Sequence, residues 1–108
     1  MGGSPLQHDV FQAIADPTRR KILMLLADEE MSIASFVKRF PMSRTAVNKH
    51  LGMLSDAGLV KNQRAGRETH YRANSAPLVA VRQWIAFVER YSDEKWHFPI
   101  QRVESDEE

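Results

Sequence analysis

The sequence predicts a mostly α-helical domain with one β-hairpin, in the order α-α-α-α-β-β-α, and three observations carry that prediction. Apolar residues recur at helical spacing from Val10 to Leu54, interrupted only by short segments bearing cap and proline signals. After Gly58 the pattern becomes two extended segments around Ala65-Gly66. From Ser75 onward a helical period returns.

Taken in order, the first helix is HDVFQAIA, with Val10, Phe11 and Ile14 at helical spacing. Asp16-Pro17 ends it and starts the second, with Asp as N-cap and Pro at the first helical position. That second helix, TRRKILMLLADE, turns Ile22, Leu23, Leu25 and Leu26 inward and carries Arg19, Arg20 and Lys21 near its start. Met31-Ser32 opens a short third helix, IASFVKRF, with Ser32 as cap and Ile33, Phe36, Val37 and Phe40 facing the core. Pro41 cannot continue it.

The fourth helix lies in MSRTAVNKHLGMLSDAGLV, residues 42–60. Ser43 caps its start, and Ala57-Gly58 ends it with Gly58 just past the C-cap. Val47, Leu51 and Leu54 form one face. At about 100° per residue, Thr45, Asn48, Lys49 and Gly52 fall on the opposite arc, with Arg44 beside them. Gly52 lowers helix propensity by roughly 1 kcal/mol relative to Ala. Either it gives room for a sugar-phosphate backbone to approach, or it is simply tolerated.

The segment LVKNQRAGRETHYRAN then reads as a hairpin, Gly66 supplying the positive φ of its turn. The last helix is expected to run from a Ser75 cap, through Pro77 in its first turn, to about Trp96.

Composition bounds the function. The chain of 108 residues is long enough for one modest core. It has no cysteine, so disulfides, thiolate metal sites, cysteine nucleophiles and thiol-based redox sensing are excluded. No apolar run is long enough to span a bilayer, no secretory leader pattern opens the chain, and MGGSPL lacks the hydroxyl residue of a myristoylation signal. A cytoplasmic protein with no membrane partner is expected.

The net charge of +1 hides an asymmetry. From Lys38 to Arg72 eight basic residues face two acids, Asp56 and Glu68. From Ser92 to Glu108 six acids face two bases. Such a split indicates a polyanion-binding middle and a solvating tail.

Helices three and four, joined by a short turn, form a helix-turn-helix, and the basic hairpin behind them forms a wing. The start of a helix laid in a DNA major groove reads base edges: Arg pairs with guanine, Asn with adenine, and Thr bonds bases or touches a thymine methyl. Ser43 and the first backbone N–H groups suit a phosphate oxygen. Arg64 and Arg67 flank the hairpin turn, within reach of phosphates or a minor groove, and Glu68 is expected to turn away from them.

The runs DPTRRKILMLL, SRTAVNKHLGMLSDAGLV and QRAGRETHYRAN together resemble the ArsR family of bacterial winged-helix transcriptional regulators, over residues 8–96. The resemblance implies a homodimeric operator-binding protein, usually a repressor. It implies DNA contacts from Ser43, Arg44, Thr45, Asn48, Lys49 and His50, with Arg67 at the wing tip.

Two family metal sites have no counterpart in the sequence. SIASFVKRF lacks the cysteine pair of one, and LVAVRQWIAFVERYSDEKW lacks the histidines of the other. No cofactor and no metal are therefore expected. The alternative is a repressor of the same fold that responds to a metal or small ligand through a non-cysteine site, for which His97 with Asp93 and Glu94 has suitable chemistry. Of the other histidines, His50 sits at the margin of the core and His70 in the wing.

An enzyme is not expected, and neither is a small-molecule substrate. Ser43 and His50 are about 10 Å apart along one helix with no third group to orient a base. No H-E-x-x-H, glycine-rich phosphate loop or nucleophile elbow is present.

The last helix has two apolar stripes: Leu78, Val81, Ile85 and Val88, and beside them Trp84, Phe87 and Tyr91. They span about 180°, against about 100° for an ordinary surface helix. A second copy is expected to cover the outer part, with Phe11, Ile14, Trp84, Phe87, Val88 and Tyr91 at the dimer interface. Domain boundaries follow: a flexible arm over 1–7, a DNA-binding and dimerisation domain over 8–96, and an acidic flexible tail over 97–108.

Overall fold

Five helices and a three-stranded antiparallel sheet make up residues 9–94, the part that the computed structural model describes. Helix α1 is a single turn, Val10–Ala13. Asp9 and Gln12 close it with reciprocal side chain to backbone bonds of 2.8 and 3.1 Å. It ends earlier than its apolar pattern suggests, because Asp16 must be extended ahead of Pro17. Helix α2 follows, Pro17–Asp28, with the Asp16 carboxylate accepting from the Arg19 N–H at 3.0 Å.

Helices α3 (Ile33–Arg39) and α4 (Arg44–Asp56) begin at the caps expected of them, Ser32 and Ser43. Helix α4 closes in a Schellman arrangement. The Leu59 N–H donates to Leu54 O and the Gly58 N–H to Ser55 O, both at 2.9 Å, while Gly58 takes φ of 79°. Leu54 and Leu59, at the two ends of this motif, are fully buried.

The wing consists of β2 (Val60–Ala65) and β3 (Glu68–Ala73), paired from Val60–Ala73 to Ala65–Glu68, with Gly66 at φ 66°. A short strand that the sequence does not announce, β1 (Met31–Ser32), pairs with the other edge of β3, Met31 opposite Tyr71 and Ser32 opposite His70. Ser32 thus serves both as a strand residue and as the cap of α3. Below the hairpin, Asn74 closes the base, its N–H bonding Leu59 O at 2.7 Å and its side chain Gly58 O at 2.8 Å.

The start of the last helix differs from the expectation. Ser75 has helical dihedrals, φ −83° and ψ −8°, and its hydroxyl caps nothing, since side-chain capping needs an extended residue there. A turn of 3-10 helix, Ala76–Leu78, leads instead into α5, Val79–Glu94.

Phe36, Ile22, Leu51, Leu54, Leu59 and Val47 form the fully buried centre, joined by Val10, Ala13, Leu26, Met31 and Val60. Leu78, Ala80 and Val81 pack against it from the beginning of the last helix. Ile85, expected on the same core-facing stripe, is 49% exposed, although Ser92 further along the helix is buried. Residues 1–8 and 95–108, including the expected arm, acidic tail, Trp96 and His97, lie outside the described residues.

Candidate nucleic-acid interface

Burial of Val47, Leu51 and Leu54 fixes the roll of α4 about its axis. Thr45, Asn48 and Lys49 are consequently exposed along one arc, with Arg44 exposed beside them and the Ser43 cap exposed ahead of them. The Ser43 hydroxyl accepts from the Ala46 N–H at 3.1 Å and keeps its own proton for another acceptor. Gly52 is exposed on this arc, and a Cβ added there would meet nothing within 4 Å. Gly52→Ala should therefore raise unfolding free energy by about 1 kcal/mol. If Gly52 admits a sugar-phosphate backbone, the same variant will bind DNA more weakly although it is more stable; unchanged affinity in a titration leaves only tolerance.

Residues Lys61 to Glu68 of the wing are exposed. The Arg64 guanidinium reaches back to Gly66 O at a long 3.5 Å, leaving most of its donors available. Arg67 and Arg44 line one cleft of about 250 Å³, with Ser32, Ile33, Ala34, Glu68 and Thr69 forming the rest of its wall. The wing turn and the start of α4 therefore face the same side of the molecule. Pairing of β1 with β3 brings this about, since it docks the wing onto the residues that begin α3.

Glu68 does not leave this cleft; it lines it and is held there by His70. The His70 ring lies between two carboxylates, Nε2 3.1 Å from Glu68 Oε1 and Nδ1 3.9 Å from Glu30 Oε1. His50, grouped by sequence with the DNA-facing residues, is half-buried and meets Arg19 of α2, with Nη1 3.2 Å from Nδ1.

Arg19 is the residue that sequence reasoning missed. Its Nε donates to Ala13 O at 2.7 Å and its Nη2 to Gln12 O at 3.3 Å, closing the end of α1, while Arg20 donates to Ile14 O at 2.7 Å. Both guanidiniums thus bond backbone carbonyls of the chain itself, Arg19 half-buried and Arg20 exposed. No local pattern signals this, because the contact with His50 spans 31 positions. The N–H of Arg19 holds the Asp16 carboxyl below the usual carboxylate range against partial desolvation, and the charge of Arg19 acts in the same direction.

Away from this surface, Trp84 stacks on Phe87 with centroids 5.3 Å apart, and Phe87 meets Tyr91 at 4.4 Å. Trp84 and Phe11 are 50% and 40% exposed, Phe87, Val88 and Tyr91 are half-buried, and Ile14 packs partly against the core. Among the described residues, no three His, Asp or Glu side chains are placed to hold a metal ion, and no helix is long and apolar enough to cross a membrane.

Comparison with known proteins identifies the architecture. Residues 16–62 match the model of the bacterial regulatory protein, arsR family. The chain is 35% identical over 78 residues to the transcriptional repressor SdpR of Bacillus subtilis, an alignment covering 72% of this chain and 87% of that protein. It is 38% identical over 72 residues to an HTH-type transcriptional regulator of Mycobacterium tuberculosis, covering 67% of each. The solved structure of an ArsR-like transcriptional regulator from Rhodococcus sp. RHA1 superposes with a TM-score of 0.74 at 36% identity, covering 89% of this chain and 88% of that one. By sequence and by fold, then, the chain belongs to the ArsR family of winged helix-turn-helix, DNA-binding transcription regulators, a family of regulators and not of enzymes.

Proposed function

We propose that the chain is a cytoplasmic, sequence-specific repressor that binds a near-palindromic operator as a homodimer, with residues 8–96 supplying both the DNA-binding and the dimerisation surface. The observation that carries this reading is the shared cleft: Arg44 from the start of α4 and Arg67 from the wing turn face one side together. A duplex laid against that side meets Arg44, Thr45, Asn48 and Lys49 in its major groove and Ser43, Arg64 and Arg67 at its phosphates. With no cysteine in the chain, any inducing signal acts without thiolate chemistry. Two-fold symmetry sets the two recognition helices about one DNA turn apart, which makes the operator near-palindromic.

Protection of genomic DNA by the purified protein tests this directly. The expected result is a protected site whose two half-sites are about one helical turn apart. Asn48→Ala should reduce discrimination against non-operator DNA by about 1–3 kcal/mol while leaving non-specific binding intact. Arg67→Ala should lower the logarithmic salt slope by about 0.9 for each phosphate that the side chain neutralises in the wild type. Binding of equal strength to every duplex, unaffected by Asn48→Ala, would overturn the reading.

A further inference from the structure

We infer that Arg19 is a positioning residue for DNA recognition: it holds His50 with its proton on Nε2, so that this N–H is presented to a phosphate oxygen of the bound duplex. The inference rests on the DNA-binding reading above and adds to it a residue that stands outside the exposed arc.

The guanidinium of Arg19 is fixed at two points by the carbonyls that end α1, and its backbone N–H is held by Asp16. Its remaining arm, Nη1, lies 3.2 Å from His50 Nδ1. A guanidinium has donors only, so Nδ1 must offer a lone pair, and in this contact the ring is neutral with its single proton on Nε2. That N–H has no acceptor among the described residues. It belongs to a half-buried ring that follows directly on the exposed Asn48 and Lys49. A partly desolvated donor without a protein acceptor calls for one from outside. The fitting acceptor for it is an anionic oxygen, and a duplex lying along the exposed side of α4 presents phosphate oxygens. The charges that act on His50 from α2 and its cap are Arg19 and Asp16, and both are engaged within the protein. The same guanidinium binds the last carbonyls of α1, so the orientation of the ring is tied to the helix that carries Phe11.

The test is a double-mutant cycle on operator affinity in the full chain, combined with NMR of the ring nitrogens of the free protein. His50→Phe, which keeps a ring but no donor, should weaken operator binding about tenfold. His50→Gln should recover most of that loss, its carboxamide N–H standing in for Nε2–H without help from Arg19. Arg19→Gln should weaken binding several-fold when His50 is present and have no further effect once His50→Phe is in place. In the unliganded wild type His50 should be the Nε2–H tautomer, and Arg19→Gln should convert it to a mixture. Additive losses, a Nδ1–H ring in the wild type, or unchanged affinity on His50→Phe would each overturn the proposal. Should Arg19→Gln fail to fold, the two His50 variants and the wild-type tautomer decide by themselves. The tautomer is read without DNA, so its failure is distinct from failure of operator binding.

Discussion

Trp84→Glu is expected to yield a folded monomer whose operator affinity is lower by about two to four orders of magnitude, the gain that linking two binding modules provides. Trp84 is half exposed and stacked on Phe87, outside the buried centre, so its loss should leave the domain intact. On the same helix Val79 and Ile85 are 53% and 49% exposed, and Phe11 of α1 is 40% exposed. A glutamate placed among these residues would be desolvated without a partner in the dimer, and association would fail. Sedimentation velocity reports the mass, circular dichroism the fold, and a DNA titration the affinity. Trp84→Lys, which carries the opposite charge, separates lost association from simple repulsion of DNA: both variants should be monomeric and weak. A wild-type monomer, or a dimer that survives both changes, would remove the symmetric-operator reading.

Phe36→Ala is expected to lower unfolding free energy by about 3–5 kcal/mol. Phe36 is wholly inaccessible to solvent, and its ring lies 6.3 Å from that of Phe40. It belongs to α3, the helix whose start is shared with β1, so a cavity there loosens the joint between helix-turn-helix and wing as well as the core. Domains of this kind have about 5–15 kcal/mol to lose, so the variant should be partly unfolded at physiological temperature. Denaturant titration should show a lower midpoint at unchanged slope. Met24→Ala serves as the control: that side chain is 66% exposed, and its change should stay within about 0.5 kcal/mol.

What could be read from the chain and what could not divides along a physical line. Asp16-Pro17, Ser32, Pro41, Ser43 and Gly58 act on their own few neighbours, and the ends of α2, α3 and α4 fall where they direct. The exposed arc of α4 was legible for the same reason, since burial of Val47, Leu51 and Leu54 leaves Thr45, Asn48 and Lys49 no other place. Strand β1 was not legible. Two residues carry no period, and only contact with β3 makes them a strand. Arg19 was hidden likewise: beside Arg20 and Lys21 it reads as part of a basic helix start, and only the fold brings it to Ala13 and His50. At Ser75 a good cap residue was overruled by its own backbone dihedrals.

The unequal length of the strands gives the wing two mechanical regimes. At Tyr71 and His70 the middle strand pairs on both edges, with Met31-Ser32 and with β2; from Thr69 outward it has β2 alone. Arg64, Arg67 and Glu68 therefore ride on a two-stranded cantilever, whereas Arg44 is bolted to the core through α4. A cantilever can follow a backbone whose groove widens or narrows, and a bolted side chain cannot. Sequence tolerance in a bound duplex should accordingly collect at the flanks under the wing tip, with the stretch under α4 admitting little variation.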